Sequence, residues 1–336
     1  MLGGKGGENM ADLTTTYMGL QLKNPIVVAS SRLTYDVEKV VQCAQAGAGA
    51  VVLKSLFEEQ IEQDSKTMIS GMDFDAYTEA YDYFKETSRD YYIDEYLALV
   101  EQAKQQVDIP VIASINAVRG GSWIEYASRL EKMGADALEL NVYIIPANIA
   151  AEGRSIEKTY FDILRKVKKE VSIPVALKLG GQFSGMAHTM KQLADEGAKG
   201  LVLFNRFYKP DIDIEKMTLK QAQIYSAPEE MAFTLQWIAL LAGKIKADLA
   251  ANTGIHTSQD VIKQLLAGAQ VTEICSMLMK KGISEIGTLT RGLEEWMDRQ
   301  GFTSIDQFRG RMSQESQEHP EVYERSQYIK ALVGIE

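Results

Sequence analysis

Two lysines close short apolar runs, Leu53-Lys54-Ser55 and Leu177-Lys178-Leu179. An ammonium in such a setting needs water, an anion or a hydrogen-bonding partner. The pair therefore favours an anionic or electron-rich ligand over chance snorkelling. Asn116, Asn141, Asn205 and Asn252 follow or end four other apolar runs. Each amide carries two donors and an acceptor, which suits edge-on reading of a planar heterocycle, although any one alone reads as a turn or cap residue. Asn252-Thr253-Gly254-Ile255 and Cys275-Ser276-Met277 have the form of turns that hold a phosphate on backbone N–H groups, with Gly254 allowing close approach. With one glycine between them, they also fit ordinary strand-to-helix turns. His188 falls inside a helical stretch and reads as a surface or packing residue. His256 follows the first turn but has no partner in sequence to make it a general base.

Short β-branched runs alternate with longer amphipathic stretches along the whole chain, the mark of repeated βα units. Eight strands are expected: Ile26 to Ser31, Ala50 to Ser55, Val111 to Asn116, Ala137 to Val142, Val175 to Leu179, Leu201 to Asn205, Asp248 to Asn252 and Val271 to Cys275. Four intervening helices end alike, at Gly47-Ala48, Gly134-Ala135, Gly197-Ala198 and Gly268-Ala269, where glycine permits the left-handed cap. Ile109-Pro110 and Ile173-Pro174 introduce two strands at an entry position where no ladder donor is yet required. Eight units predict an α/β fold, a (β/α)8 TIM barrel with its chemistry at the strand C-termini. Insertions are expected after strand two (56–90) and strand six (206–227). The first, rich in tyrosine and acids (Asp73, Asp75, Tyr77, Glu79, Tyr81, Asp82), reads equally as a lid, a subunit contact or a solvated excursion. Residues 1–10 are expected to be a flexible leader, 11–310 the barrel and 311–336 a helical tail.

The chain has 336 residues, 46% hydrophobic and 24% charged, with 36 Lys and Arg against 46 Asp and Glu for a net charge of −10. That excludes a disordered or staple-dependent fold and disfavours a nucleic-acid partner. Cys43 and Cys275 show no metal-ligand spacing, so no metal is expected and a reducing cytoplasm is the simplest compartment. No apolar run reaches 18 residues, so no membrane span is expected.

These residues resemble the dihydroorotate dehydrogenase family of FMN-dependent barrel enzymes over roughly residues 12 to 310. The carriers are Thr15-Thr16-Tyr17-Met18-Gly19-Leu20, Lys23-Asn24-Pro25, Ala29-Ser30, Lys54-Ser55, Leu138-Glu139-Leu140-Asn141, Leu177-Lys178-Leu179 and Asn252 through Asp260 leading to Leu266-Ala267-Gly268-Ala269. The resemblance implies hydride transfer to FMN from a CH–CH bond, dihydroorotate becoming orotate in pyrimidine synthesis. It places Ala29, Ser30, Lys54, Ser55, Asn141, Lys178 and Asn252 around the flavin. Thr253-Gly254 and Cys275-Ser276 fall at its phosphate, and Lys54 and Lys178 take catalytic roles. Asn116 and Asn205 are expected to bind a small-molecule substrate, and a homodimer follows from the same likeness. A separate iron–sulfur subunit remains compatible with the chain.

One departure bears on the chemistry. Soluble members place a Cys base three residues after the Asn of strand four, and here Asn141-Val142-Tyr143-Ile144 puts isoleucine there. Tyr143 is a candidate substitute. The alternatives are a related flavin oxidoreductase acting on another substrate, a non-catalytic flavin-binding protein, or a barrel whose Lys178 or Lys54 forms a Schiff base with a carbonyl substrate.

Overall fold

The structure, a computed structural model, describes residues 11–61, 63, 78–116, 120–207 and 209–325, with the backbone alone for 78–89. The leader 1–10, the acidic stretch containing Asp73, Asp75 and Tyr77, and the end of the tail (326–336) lie outside the described residues. An antiparallel pair, β1 (Thr15–Tyr17) and β2 (Leu20–Leu22), comes first. Then follow β3 (Ile26–Val28), β4 (Ala50–Val52), β5 (Leu56–Phe57), β6 (Val111–Asn116), β7 (Ala137–Asn141), β8 (Val175–Leu179) and β9 (Gly200–Leu203). A hairpin of β10 (Pro210–Asp213) and β11 (Thr218–Gln221) precedes β12 (Asp248–Asn252) and β13 (Val271–Ile274).

The eight expected strands are all present. Parallel ladders run β3–β4–β6–β7–β8–β9–β12–β13 and return from β13 to β3, closing a (β/α)8 barrel. Helices flank it, among them Val37–Gln45, Gly153–Glu170, Met231–Leu241 and Ser258–Ala267. Among the described residues no helix is long and apolar enough to cross a membrane.

Alternation sorts the strand residues. Leu138, Leu140, Leu177, Leu179, Leu201 and Leu203 face the helices and are fully buried, each contributing roughly 1.5–3 kcal/mol. Val27, Val52, Ile112, Ala176, Val202 and Ala250 face the axis and pack with Tyr17, Met18 and Leu22, so the β1–β2 ribbon plugs the N-terminal end. The Met18 N–H donates to the Asp248 carboxylate at 2.6 Å and ties the plug to β12. Farther along, the axis-facing set becomes polar: Ser114, Glu139, Asn141, Lys178, Asn252 and Glu273 near the strand ends, with Lys54 and Cys275 just beyond them.

The entries and exits are as the sequence implies. The Pro110 and Pro174 carbonyls accept from Val51 and Leu138 N–H at 3.1 and 2.9 Å, so each proline joins the ladder as an acceptor only. Gly47 and Gly268 adopt φ of +100° and +119° beyond their helices, and the Ala48 and Ala269 N–H groups reach back to Cys43 and Gln264 carbonyls.

Two features differ from expectation. The insertion after β9 is built around the β10–β11 ribbon. Ile212 pairs with Leu219 across it, and Asp211 and Lys220 form an ion pair on the opposite face. Its apolar face is open: Ile212, Ile214, Met217 and Leu219 are 60, 78, 87 and 77% exposed. The expected tail helix is absent over 311–321, which forms turns with one 3-10 segment at Gln314–Ser316. There Gln314 donates to the Pro320 carbonyl and to Glu324, and Pro320 lacks the N–H a continuing helix would use.

A Cβ on Gly268 would lie 2.3 Å from the Ala242 Cβ, whereas one on Gly47 would meet nothing within 4 Å. Gly47→Ala is therefore expected to cost about 1 kcal/mol, from backbone conformation alone. Gly268→Ala is expected to cost at least twice that in chemical denaturation. Equal losses would show that the packing against Ala242 carries no weight.

Candidate active site

At the C-terminal mouth of the barrel lies a cavity of about 780 Å³, within the range of cofactor sites. Ala29, Ser30, Lys54, Ser55, Asn141 and Lys178 line it, joined by Asn205, Asn252, Thr253, Gly254, Cys275 and Ser276. Twelve of the fourteen sequence candidates thus meet in one place. Most arrive by parity: Asn141 and Lys178 are directly paired between β7 and β8, and both are inward positions at strand ends.

Lys178 sits on the floor, buried. Its Nζ lies 2.9 Å from the Glu273 Oε2 and 3.6 Å from the Glu139 Oε1. Burial opposes its charge, yet the two carboxyl groups outweigh that and raise its pKa above the ordinary lysine value. Burial, and then the neighbouring Glu273, push the Glu139 carboxyl well above the usual carboxylate range, against the opposing pull of Lys178. Two carboxyl groups this close cannot both ionise in a dry interior. The protonated form of Glu139 is thereby favoured, and the closer contact of Lys178 is with Glu273. A lysine held as ammonium is a poor nucleophile, so this seat disfavours the Schiff-base role considered for Lys178. Lys54, half-buried, has no carboxylate partner among the described residues, and its ammonium lies 5.8 Å from the Phe57 ring centre.

The remaining walls are built by hydrogen bonds. Ser30, Ser55 and Ser114 form a hydroxyl chain, with Oγ–Oγ distances of 3.1 and 2.7 Å. Asn205 donates to the Asn141 carbonyl oxygen, so two of the amides act as a pair. Thr253 holds φ +76°, rare for a β-branched residue. Its N–H donates to Asn252 Oδ1 at 2.8 Å and its hydroxyl to the Phe204 carbonyl at 2.9 Å. The expected close approach at Gly254 exists but is internal: a Cβ there would sit 2.3 Å from the Met231 nitrogen. Burial raises the Cys275 thiol pKa, an effect opposed by a hydrogen bond with Ser31 and by Lys178.

Other candidates lie outside the cavity. Asn116 ends β6, paired with Phe57 on β5, and is not among the lining residues. The Tyr143 ring stacks at 12° on Phe207, a lining residue, and abuts Gly180, so it stands behind the cavity wall and is not itself part of the lining. Burial raises its pKa, which makes it a weaker acid. Ile144 packs against the core, and its N–H donates to the Tyr160 hydroxyl at 3.2 Å. His188 is exposed on helix Met186–Asp195. His256 meets the Ser226 hydroxyl at 3.2 Å, and burial and then Lys280 lower its pKa.

A family model described as dihydroorotate dehydrogenase matches residues 12–297. The chain belongs to the dihydroorotate dehydrogenase family. It is 25% identical over 308 residues to a putative dihydroorotate dehydrogenase A (fumarate) of Aeropyrum pernix, covering 89% of this chain and 97% of that one. It is 27% identical over 305 residues to the catalytic subunit of dihydroorotate dehydrogenase B (NAD(+)) of Thermoplasma acidophilum, with coverage of 90 and 99%. A chloroplastic dihydropyrimidine dehydrogenase (NADP(+)) of Arabidopsis thaliana is 22% identical over 346 residues, covering 95% of this chain and 81% of that one.

The residues that sequence reasoning missed in this family member are Glu139, Glu273 and Arg206. Glu139 stands two before Asn141 and Glu273 two before Cys275, so both share the inward parity. A lone acid inside an apolar strand was the available signal. Arg206 donates to the Glu230 carboxylate at 2.8 Å and to the Gln223 and Ile224 carbonyls at 2.9 Å, bracing one cavity wall.

The Glu139 seat has a pH signature. With its folded pKa above the unfolded value, the native state binds the extra proton, so its contribution is fully present in acid and declines as pH rises above the ordinary carboxyl value of 4.5. Glu139→Gln should remove that decline, by about 1.4 kcal/mol for each pH unit the parent loses. Thermal melts from pH 5 to 9 read it directly, and parallel profiles for parent and variant would show that Glu139 is ionised throughout.

Proposed function

We propose that this chain is an FMN-dependent oxidoreductase of a CH–CH bond, with the oxidation of dihydroorotate to orotate as the leading reading. The single observation that carries it is the Lys178–Glu273 ion pair on the floor of a cavity rimmed by paired amides and by the cations of Lys54, Arg32 and Arg206. The donor set fits FMN. Lys178 offers a fixed ammonium to an electron-rich ring edge, Asn141 and Ser30 offer polar contacts, and Asn252 to Gly254 with Cys275 and Ser276 bound the end suited to the phosphate. FMN, when bound, supplies the hydride acceptor. Asn141, Asn205 and Lys54 orient a flat anionic substrate, and the apolar lining residues Phe57, Phe207, Ile224 and Met279 help exclude water from the reacting carbons.

A second reading rests on Ile144. The base position holds a side chain that accepts no proton, and Tyr143 is stacked on Phe207. That favours the opposite direction on another substrate, reduction of an activated C=C bond, in which one carbon would take hydride from reduced flavin and the other a proton from a lining hydroxyl or water. The Arabidopsis relative, named for dihydropyrimidine, belongs to the same class of chemistry.

The purified protein is expected to be yellow and to bleach when dihydroorotate is added without oxygen. A yellow protein that stays oxidised selects the second reading, and a colourless one that refuses FMN ends both. Lys178→Met is expected to slow flavin reduction at least tenfold without loss of fold. An unchanged rate removes Lys178 from the chemistry.

The homodimer belongs to the same proposal. The open face of the β10–β11 ribbon supports it, because an isolated two-stranded sheet is marginal in water until its apolar face is covered. Sedimentation is expected to show a dimer that Ile214→Asp with Leu219→Asp converts to monomer. The B-type relatives' designation as catalytic subunits makes a heteromeric partner the other outcome, seen as a monomeric parent. The two unpaired cysteines favour the cytoplasm.

A further inference from the structure

Among the described residues, three buried polar atoms beneath the cavity lack a hydrogen-bond partner: Glu139 Oε1, which has only the Lys178 ammonium at 3.6 Å, Glu273 Oε1 and the Tyr17 hydroxyl. Both carboxyl groups are within reach of one ammonium, at 2.9 and 3.6 Å, and all three side chains are almost completely buried. Tyr17 lies close enough to both acids for them to raise its pKa, after burial itself. Such an arrangement is costly unless it serves a purpose, since truncating a buried ion pair to apolar residues is often stabilising. An ammonium alone would suffice to attract an anion. One carboxylate alone would balance that ammonium, yet two carboxyl groups stand within its reach.

We propose that Glu139 and Glu273 are positioning residues that share one negative charge beneath Lys178, so that the lysine meets its ligand as half of a neutral pair rather than as a free cation. This deepens the FMN reading and rests on it. Either carboxyl can carry the charge while the other carries the proton, because both reach the same Nζ. The pair thus holds the positive field at the cavity floor constant when one partner is lost. Loss of both leaves Lys178 uncompensated and favours the more negative, reduced form of the ligand above it.

The test is the midpoint potential of flavin bound to the full chain, titrated anaerobically at pH 7. Glu139→Gln and Glu273→Gln alone are expected to stay within threefold of the parent reduction equilibrium. The double variant is expected to favour reduction at least tenfold, an upward shift of about 30 mV for a two-electron couple. In a Lys178→Met background the same double substitution is expected to have no effect, since neither carboxyl then has a counter-ion to keep it charged. A double variant with the parent potential, or a shift that persists without Lys178, overturns the proposal. If the double variant does not fold, the singles decide. Near-parental singles beside a Lys178→Met that disfavours reduction at least tenfold uphold it, and a single that moves tenfold overturns it. A parent chain that takes up no FMN is recognised first, from its absorption spectrum, and ends the FMN reading together with this one. A yellow parent with unresponsive variants ends this one alone.

Discussion

Closing eight parallel strands into a ring leaves no free edge and gives every strand residue one of two directions, toward the axis or toward the helices. The direction alternates, so the choice made at the N-terminal end of a strand commits the residues at its C-terminal end. Val27, Val52, Ile112, Ala176, Val202 and Ala250 seal one end against the β1–β2 plug. By the same alternation Lys54, Asn141, Lys178, Asn252 and Cys275 turn inward at the other. The site is in this sense a consequence of the core. A one-residue slip in β7, β8 or β12 would send Asn141, Lys178 or Asn252 outward, toward the helices.

Between plug and cavity lies a layer the barrel could have filled with valine. It holds Ser114, Glu139, Lys178 and Glu273 instead. Burying an ammonium there is tolerable because two carboxyl groups stand within its reach, at 2.9 and 3.6 Å. The Tyr17 hydroxyl, without a hydrogen-bond partner among the described residues, marks what the arrangement costs. Position within the barrel, rather than any property of an isolated lysine, decides that Lys178 remains charged.

Much of this was legible beforehand. The strands announced themselves because parallel strands are buried on both faces and read as β-branched runs. The helix ends did so because Gly47, Gly134, Gly197 and Gly268 occupy backbone conformations that other residues resist. Twelve candidates converged because a strand end is a place that periodicity can locate. Asn116 and Tyr143 did not. A single asparagine cannot reveal what the following turn does, and the loop after Asn141 obeys no period, so the stacking of Tyr143 on Phe207 had no trace in spacing. Glu139 and Glu273 were readable in principle. Their role was not, since it arises from three residues on three strands, 39 and 95 positions from Lys178 to either side. Over 311–321 the tail differs from the expected helix because polar amphipathicity cannot tell a helix from turns stitched together by Gln314.

The β10–β11 ribbon springs from the rim of the cavity. Gln221, its last residue, and Ile224, three beyond, form part of the cavity wall, and Arg206 pins that stretch through the Gln223 and Ile224 carbonyls while gripping Glu230. The arm and the chamber therefore share masonry. A body resting on the arm's oily side would press on the chamber as well.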